Sequence, residues 1–166
     1  MSSRSHGAPA SWDDLSRYAD HHQRGELLLT HAEAMSDGDY WRAVADAWQD
    51  SERQSLSRAD WRRLWLADRP GREQAMTADE HAALAALPRR VAVFRGVHLF
   101  NGVAGLSWTF DREKAAWFAR RDLDGYGAVV SGRVLHRRIL ALFEARQEHE
   151  LIVQPCHVYA RKWEAI

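Results

Sequence analysis

The chain has 166 residues and carries 23 Lys+Arg against 23 Asp+Glu, a one-domain length able to bury roughly two-thirds of its unfolded surface. Zero net charge excludes a bulk basic field that would draw it to nucleic acid or an anionic membrane. A single cysteine, Cys156, excludes an internal disulfide and a thiolate-rich zinc site, and the only adjacent histidines, His21 and His22, diverge on a helix, so no metal is expected.

In chain order, residues 1 to 10 are polar, lack the apolar run of a secretory signal, and read as a disordered N-terminus. No stretch reaches the ~18 apolar residues of a spanning helix, so we expect a soluble protein in a reducing, cytoplasmic setting, with delivery into a host or target cell left open. Ser11 followed by Asp14, and Thr77 followed by Glu80, match the helix-start pattern in which a cap oxygen and a third-position carboxylate satisfy orphan amides. Tyr40, Val44, Ala47 and Trp48 recur at helical spacing, as do Trp61, Leu64 and Trp65 after a cap at Ser57. Residues 11 to 88 are therefore expected to be helical, broken at Arg69-Pro70-Gly71 and closed by Pro88.

The pattern then shifts toward alternation. Val91-Ala92-Val93-Phe94, Ala128-Val129-Val130, Val134-Leu135, residues 139 to 143, Glu150-Leu151-Ile152-Val153 and Val158-Tyr159 are the runs expected as strands. One helix interrupts them, capped by Asp111, with Ala115, Phe118 and Ala119 as its apolar stripe. The expected fold class is α+β, with a helical region over 11 to 88 followed by a β-rich core over 89 to 166.

Three segments of the second half carry polar groups at the edges of apolar runs: Phe94-Arg95-Gly96, Ser107-Trp108-Thr109, and Glu148-His149-Glu150 entering Leu151-Ile152-Val153. With Ala115-Ala116-Trp117-Phe118-Ala119 between the last two and Pro155 after them, the order resembles the arginine–serine–glutamate class of the ADP-ribosyltransferase superfamily, over about residues 91 to 163. The interval between Arg95 and Ser107 is shorter than in toxin members of that class, and Ser-Trp-Thr stands where Ser-Thr-Ser is usual. The resemblance implies a split, mixed or antiparallel sheet, NAD as co-substrate, and transfer of ADP-ribose to a macromolecular acceptor. Protein arginine is the acceptor it favours; nucleic acid is not favoured.

The residue types suit that chemistry. Breaking the bond between nicotinamide and ribose passes through an oxocarbenium-like centre that a carboxylate stabilises, as in glycoside hydrolysis. Glu150 is the candidate for this role. Glu148, two positions earlier on what reads as one strand, shares its face by period-two alternation, and the resemblance associates it with orienting an arginine acceptor. Arg95 offers a fixed fork of donors to phosphate or ribose oxygens. Ser107 and Thr109 position Glu150, and the backbone at Gly96 approaches the nicotinamide amide. Trp108, Phe100 and Tyr126 are candidates to sandwich the nicotinamide ring.

Each segment alone has a plainer reading: a turn with a solvated arginine, a strand edge with a buried tryptophan, and the wet face of a half-buried strand. Arg137 and Arg138 read as a solvated strand face, His149 as pointing away from its flanking glutamates, Cys156 as a small buried residue, and the tryptophans of the helical half as core. An NAD glycohydrolase, and a non-catalytic interaction module built on the helical half, are the alternative functions.

Overall fold

In a computed structural model, residues 11–50, 56–98, 102–121, 127–144 and 148–166 are described. Residues 1 to 10, Phe100 and Tyr126 lie outside them. Two compact units divide between Ala75 and Met76. No helix among the described residues is long and apolar enough to cross a membrane.

The first unit is helical: α1 (Trp12–Ser16), α2 (His21–His31), α3 (Asp37–Asp50) and α4 (Arg58–Trp65). Ser11 caps α1 by accepting from the Asp14 amide at 3.3 Å, and Ser57 caps α4 by accepting from the Asp60 amide at 3.1 Å. These bonds use amides that the first turn of a helix leaves without partners. Trp41 and Trp65 are fully buried beside Leu28 and Val44, so the tryptophan spacing does mark a core. Even the breaker is used: Trp41 Nε1 donates to the Pro70 carbonyl at 2.8 Å. Tyr40 donates its hydroxyl to the Leu64 carbonyl at 2.8 Å, and burial raises its phenol pKa above the usual value while Arg69 opposes the rise.

The second unit opens with α5 (Ala78–Ala86) and continues as β1 (Arg90–His98), β2 (Ser107–Thr109), α6 (Arg112–Arg120), β3 (Gly127–Leu135), β4 (Ile139–Phe143), β5 (Glu150–Val153) and β6 (Tyr159–Ala165). The strands form one sheet in the order β4-β5-β2-β1-β3-β6. Every pairing is antiparallel, so of the two sheet types anticipated the mixed one does not apply. β1 and β3 pair over nine positions, whereas β1 and β2 meet at the single pair Phe94↔Thr109. The sheet is therefore held across its middle by one short contact.

Alternation sends Val91, Val93 and Val97 of β1 to one face, where they pack with Trp108, Val130, Leu142 and Leu151 and with Met76, Ala83, Leu84 and Leu87 from α5 and its flanks. Burying these aliphatic side chains, at about 25 cal/mol per Å² of apolar surface, is what holds α5 to the sheet. The other face receives α6, whose Ala115 and Ala116 pack against Val129 and Phe94.

Glu80 does more than complete a capping box. One carboxylate oxygen accepts from the Thr77 amide at 2.9 Å while the other accepts from the Glu144 amide at 3.0 Å, so a buried carboxylate ties the start of α5 to the end of β4.

Two local expectations are corrected. Cys156 is exposed, because it stands in the tight turn Pro155–His157 and not in a strand. Arg137 and Arg138 are exposed, but on the one-turn helix His136–Arg138 between β3 and β4.

Candidate functional site

The sheet order places the three motif-bearing segments on adjacent strands, β5, β2 and β1, although α6, β3 and β4 separate two of them in the chain. Thr109 is the meeting point, opposite Phe94 of β1 and opposite Glu150 of β5. Directly opposed residues of antiparallel strands project to one face, so Phe94, Thr109 and Glu150 form a row there. Ser107 lies two positions along β2, hence on the same face, opposite Ile152. Ser107 and Glu150 are half-buried, and Thr109 is buried.

Thr109 is fully engaged. Its hydroxyl donates to the Glu148 carbonyl at 3.0 Å and accepts from the Asp111 amide at 3.0 Å. Asp111 in turn caps α6, its carboxylate accepting from the Glu113 amide at 2.8 Å and the Lys114 amide at 3.2 Å. One β-branched hydroxyl thus links the Glu-x-Glu segment to the start of α6.

Glu148 does not share a strand with Glu150, because β5 begins at Glu150. Between them His149 adopts φ 48°, a left-handed conformation that interrupts the extended backbone on which period-two alternation depends. Alternation therefore does not bring the two carboxylates to one face, and the Thr109 bond is what fixes the Glu148 backbone. His149 has a clamp of its own. Its ring stacks on Phe110 with centroids 4.8 Å apart, and its Nδ1 lies 2.5 Å from a carboxylate oxygen of Glu144. Since Glu144 is also the residue whose amide Glu80 holds, a continuous run of contacts leads from the cap of α5 to the Glu-x-Glu segment.

Arg95 belongs by alternation to the opposite face, with Val93 and Val97. Its guanidinium donates to the Ser107 carbonyl. It also lies over Gly105, where a Cβ would fall 2.3 Å from Nη2, so the missing side chain leaves room for the guanidinium in this position. Beyond the lone Phe94↔Thr109 pair, this guanidinium links the outer part of β1 to the start of β2. It thereby positions Ser107.

Two anticipated site residues also take part in packing. Trp108 is 1% exposed and opposes Leu151 in the core on the α5 face. Gly96 faces α6: a Cβ there would fall 2.2 Å from the Ala115 carbonyl oxygen and 2.7 Å from the Ala119 amide nitrogen. Its missing side chain admits a helix. Sequence reasoning missed Glu144 and Phe110, and assigned no task to His149. A glutamate and an aromatic near a histidine are too common to signal a clamp, and only the turn brings them together.

No group of three or more His, Cys, Asp or Glu side chains suited to a metal ion is found among the described residues. Compared with models of protein families, with curated proteins and with solved structures, the chain matches none.

Proposed function

We propose that the protein is a mono-ADP-ribosyltransferase that cleaves NAD and passes ADP-ribose to a macromolecular acceptor, with protein arginine favoured. The observation that supports this most is the row Phe94, Thr109 and Glu150, which joins on adjacent strands the three segments on which the resemblance rests. A solvated arginine, a buried tryptophan and a wet strand edge, taken as unrelated features, would not call for such convergence.

In this reading Glu150 stands beside the ribose carbon while the bond to nicotinamide breaks and the electron pair leaves with the pyridine nitrogen. Its carboxylate stabilises the positive charge that develops, and Ser107 on the same face orients it and the ribose hydroxyls. Arg95 reaches in from the other face and braces Ser107 through its carbonyl, which holds the Ser107 hydroxyl toward the dinucleotide. The acceptor guanidinium forms the new bond to the ribose carbon, and Glu148 takes the proton it releases. Trp108 and Gly96 serve the scaffold. A cytoplasmic site of action and a target-selecting role for the helical unit belong to the same proposal.

The test is purified protein with labelled NAD and a cell lysate, beside a Glu150→Gln control. Label on protein that the control lacks is expected, together with free nicotinamide. Nicotinamide without label would make the protein a glycohydrolase, label on added RNA or DNA would move the acceptor, and full activity in Glu150→Gln would refute the assignment.

A further inference from the structure

β6 is the outer strand of the sheet, paired on one side to β3, and all seven of its residues are exposed. Trp163 is 60% exposed and Tyr159 is 41% exposed, an unusual load of aromatic surface for a strand edge. An edge strand presents a row of backbone donors and acceptors ready to pair with another strand.

The outward groups can be identified. The Ile166 amide donates to the Gly127 carbonyl at 3.1 Å, and Glu164 and Lys162 oppose Val129 and Ser131 in the same register. Because hydrogen-bonding direction alternates along a strand, these residues turn their amides and carbonyls toward β3, while Trp163 and Ala165 turn theirs outward.

We infer that β6 pairs with β6 of a second copy of this chain, antiparallel about a twofold axis at Trp163, to extend the sheet across a dimer. A twofold axis normal to a sheet lets only residues on one face oppose each other, so the axis must pass through a residue pair of one kind. Centring it on Lys162 sets Lys162 against its own copy, centring it on Glu164 opposes two carboxylates, and centring it on Arg161 opposes two guanidinium groups. Centring it on Trp163 sets Lys162 against Glu164 of the second copy, twice, and Trp163 against Trp163.

The same choice satisfies the backbone. Trp163 has outward groups, so the central pair exchanges two amide-to-carbonyl bonds, and Lys162 and Glu164 fall at the closer, non-hydrogen-bonded positions where side chains meet best. Lysine on an edge strand usually deters pairing. Here the alternating Glu164 makes the charge pattern complementary to itself. Glu164 already pairs with Arg112 within the chain, and a carboxylate can accept from both cations.

The proposal is independent of any activity, and sedimentation of the purified chain tests it. The wild-type protein is expected to approach twice its 19.0 kDa chain mass as concentration rises. Lys162→Glu makes the edge acidic at both positions and Glu164→Lys makes it basic at both, so each variant alone should show at least a tenfold weaker dimer. Mixed in equal amounts, the two should recover it as a heterodimer. Raised salt should weaken the wild-type dimer by screening the same pairs, a measurement that needs no variant. A wild-type chain that stays monomeric, a Lys162→Glu dimer as tight as the wild type, an unrecovered mixture of folded variants, or a salt-independent constant would each overturn the proposal.

Discussion

The hydroxyl of Thr109 is hydrogen-bonded to the carbonyl of Glu148 at 3.0 Å, joining the end of β2 to the segment that leads into β5, far away in the chain. Because the same oxygen accepts from the Asp111 amide, the end of β2 holds both the Glu-x-Glu segment and the helix α6. Thr109→Val keeps the shape and removes both bonds, which should lower stability by about 1–3 kcal/mol, whereas Thr109→Ser should recover most of it. Chemical denaturation of the two variants checks this. Equal losses in both would show that the methyl group, not the hydroxyl, matters.

Gly96→Ala should be poorly tolerated. The added carbon would sit 2.2 Å from a backbone oxygen of α6 and 2.7 Å from a backbone nitrogen, so the helix has to move off the sheet. Overpacking of this kind costs about 1–3 kcal/mol. A fall in the thermal midpoint is expected, and an unchanged midpoint would mean that α6 is not seated as described.

Glu80→Ala removes the returning half of a capping box and the acceptor of the Glu144 amide together. Loss of the cap alone costs about 0.5–2 kcal/mol. The loss should also loosen the segment that holds His149, because Glu144 contacts its ring. Hydrogen exchange at the Glu144 and His149 amides should accelerate more than at the core of β1. Uniform acceleration across the sheet would contradict this route.

His157 links stability to pH. Desolvation, and then the charge of Arg138, hold its imidazole below the ordinary pKa of 6.5. The folded state thus favours the neutral ring, and the unfolded chain binds the proton more readily, so stability declines as pH falls from 6.5 through the lower folded value. His157→Gln should flatten that part of the stability profile. Denaturant midpoints measured from neutral to mildly acid pH decide it, and an unaltered slope would assign the effect elsewhere.

Much of this is legible in the sequence. The caps at Ser11, Ser57, Thr77 and Asp111 all engage the predicted amides, because a cap is a contact across three residues or fewer and depends on local sequence alone. The strands beginning near Val91, Gly127, Ile139 and Glu150 follow from their apolar and β-branched runs.

The site was legible as residue types and not as geometry. Alternation puts Glu148 and Glu150 on one face only if their strand is continuous, and the left-handed backbone at His149 breaks it. Cys156 looked like core because cysteine is usually buried, and the turn at Pro155 exposes it.

By itself, then, the sequence determined where helices and strands start, which tryptophans supply core, and that three polar segments stand at strand edges, since these depend on local propensity and period. Tertiary structure alone decided that Thr109 meets both Phe94 and Glu150, that Arg95 reaches the Ser107 carbonyl, and that Gly96 serves a helix. Those outcomes depend on strand order and register, which are set by burying apolar faces drawn from the whole unit at once.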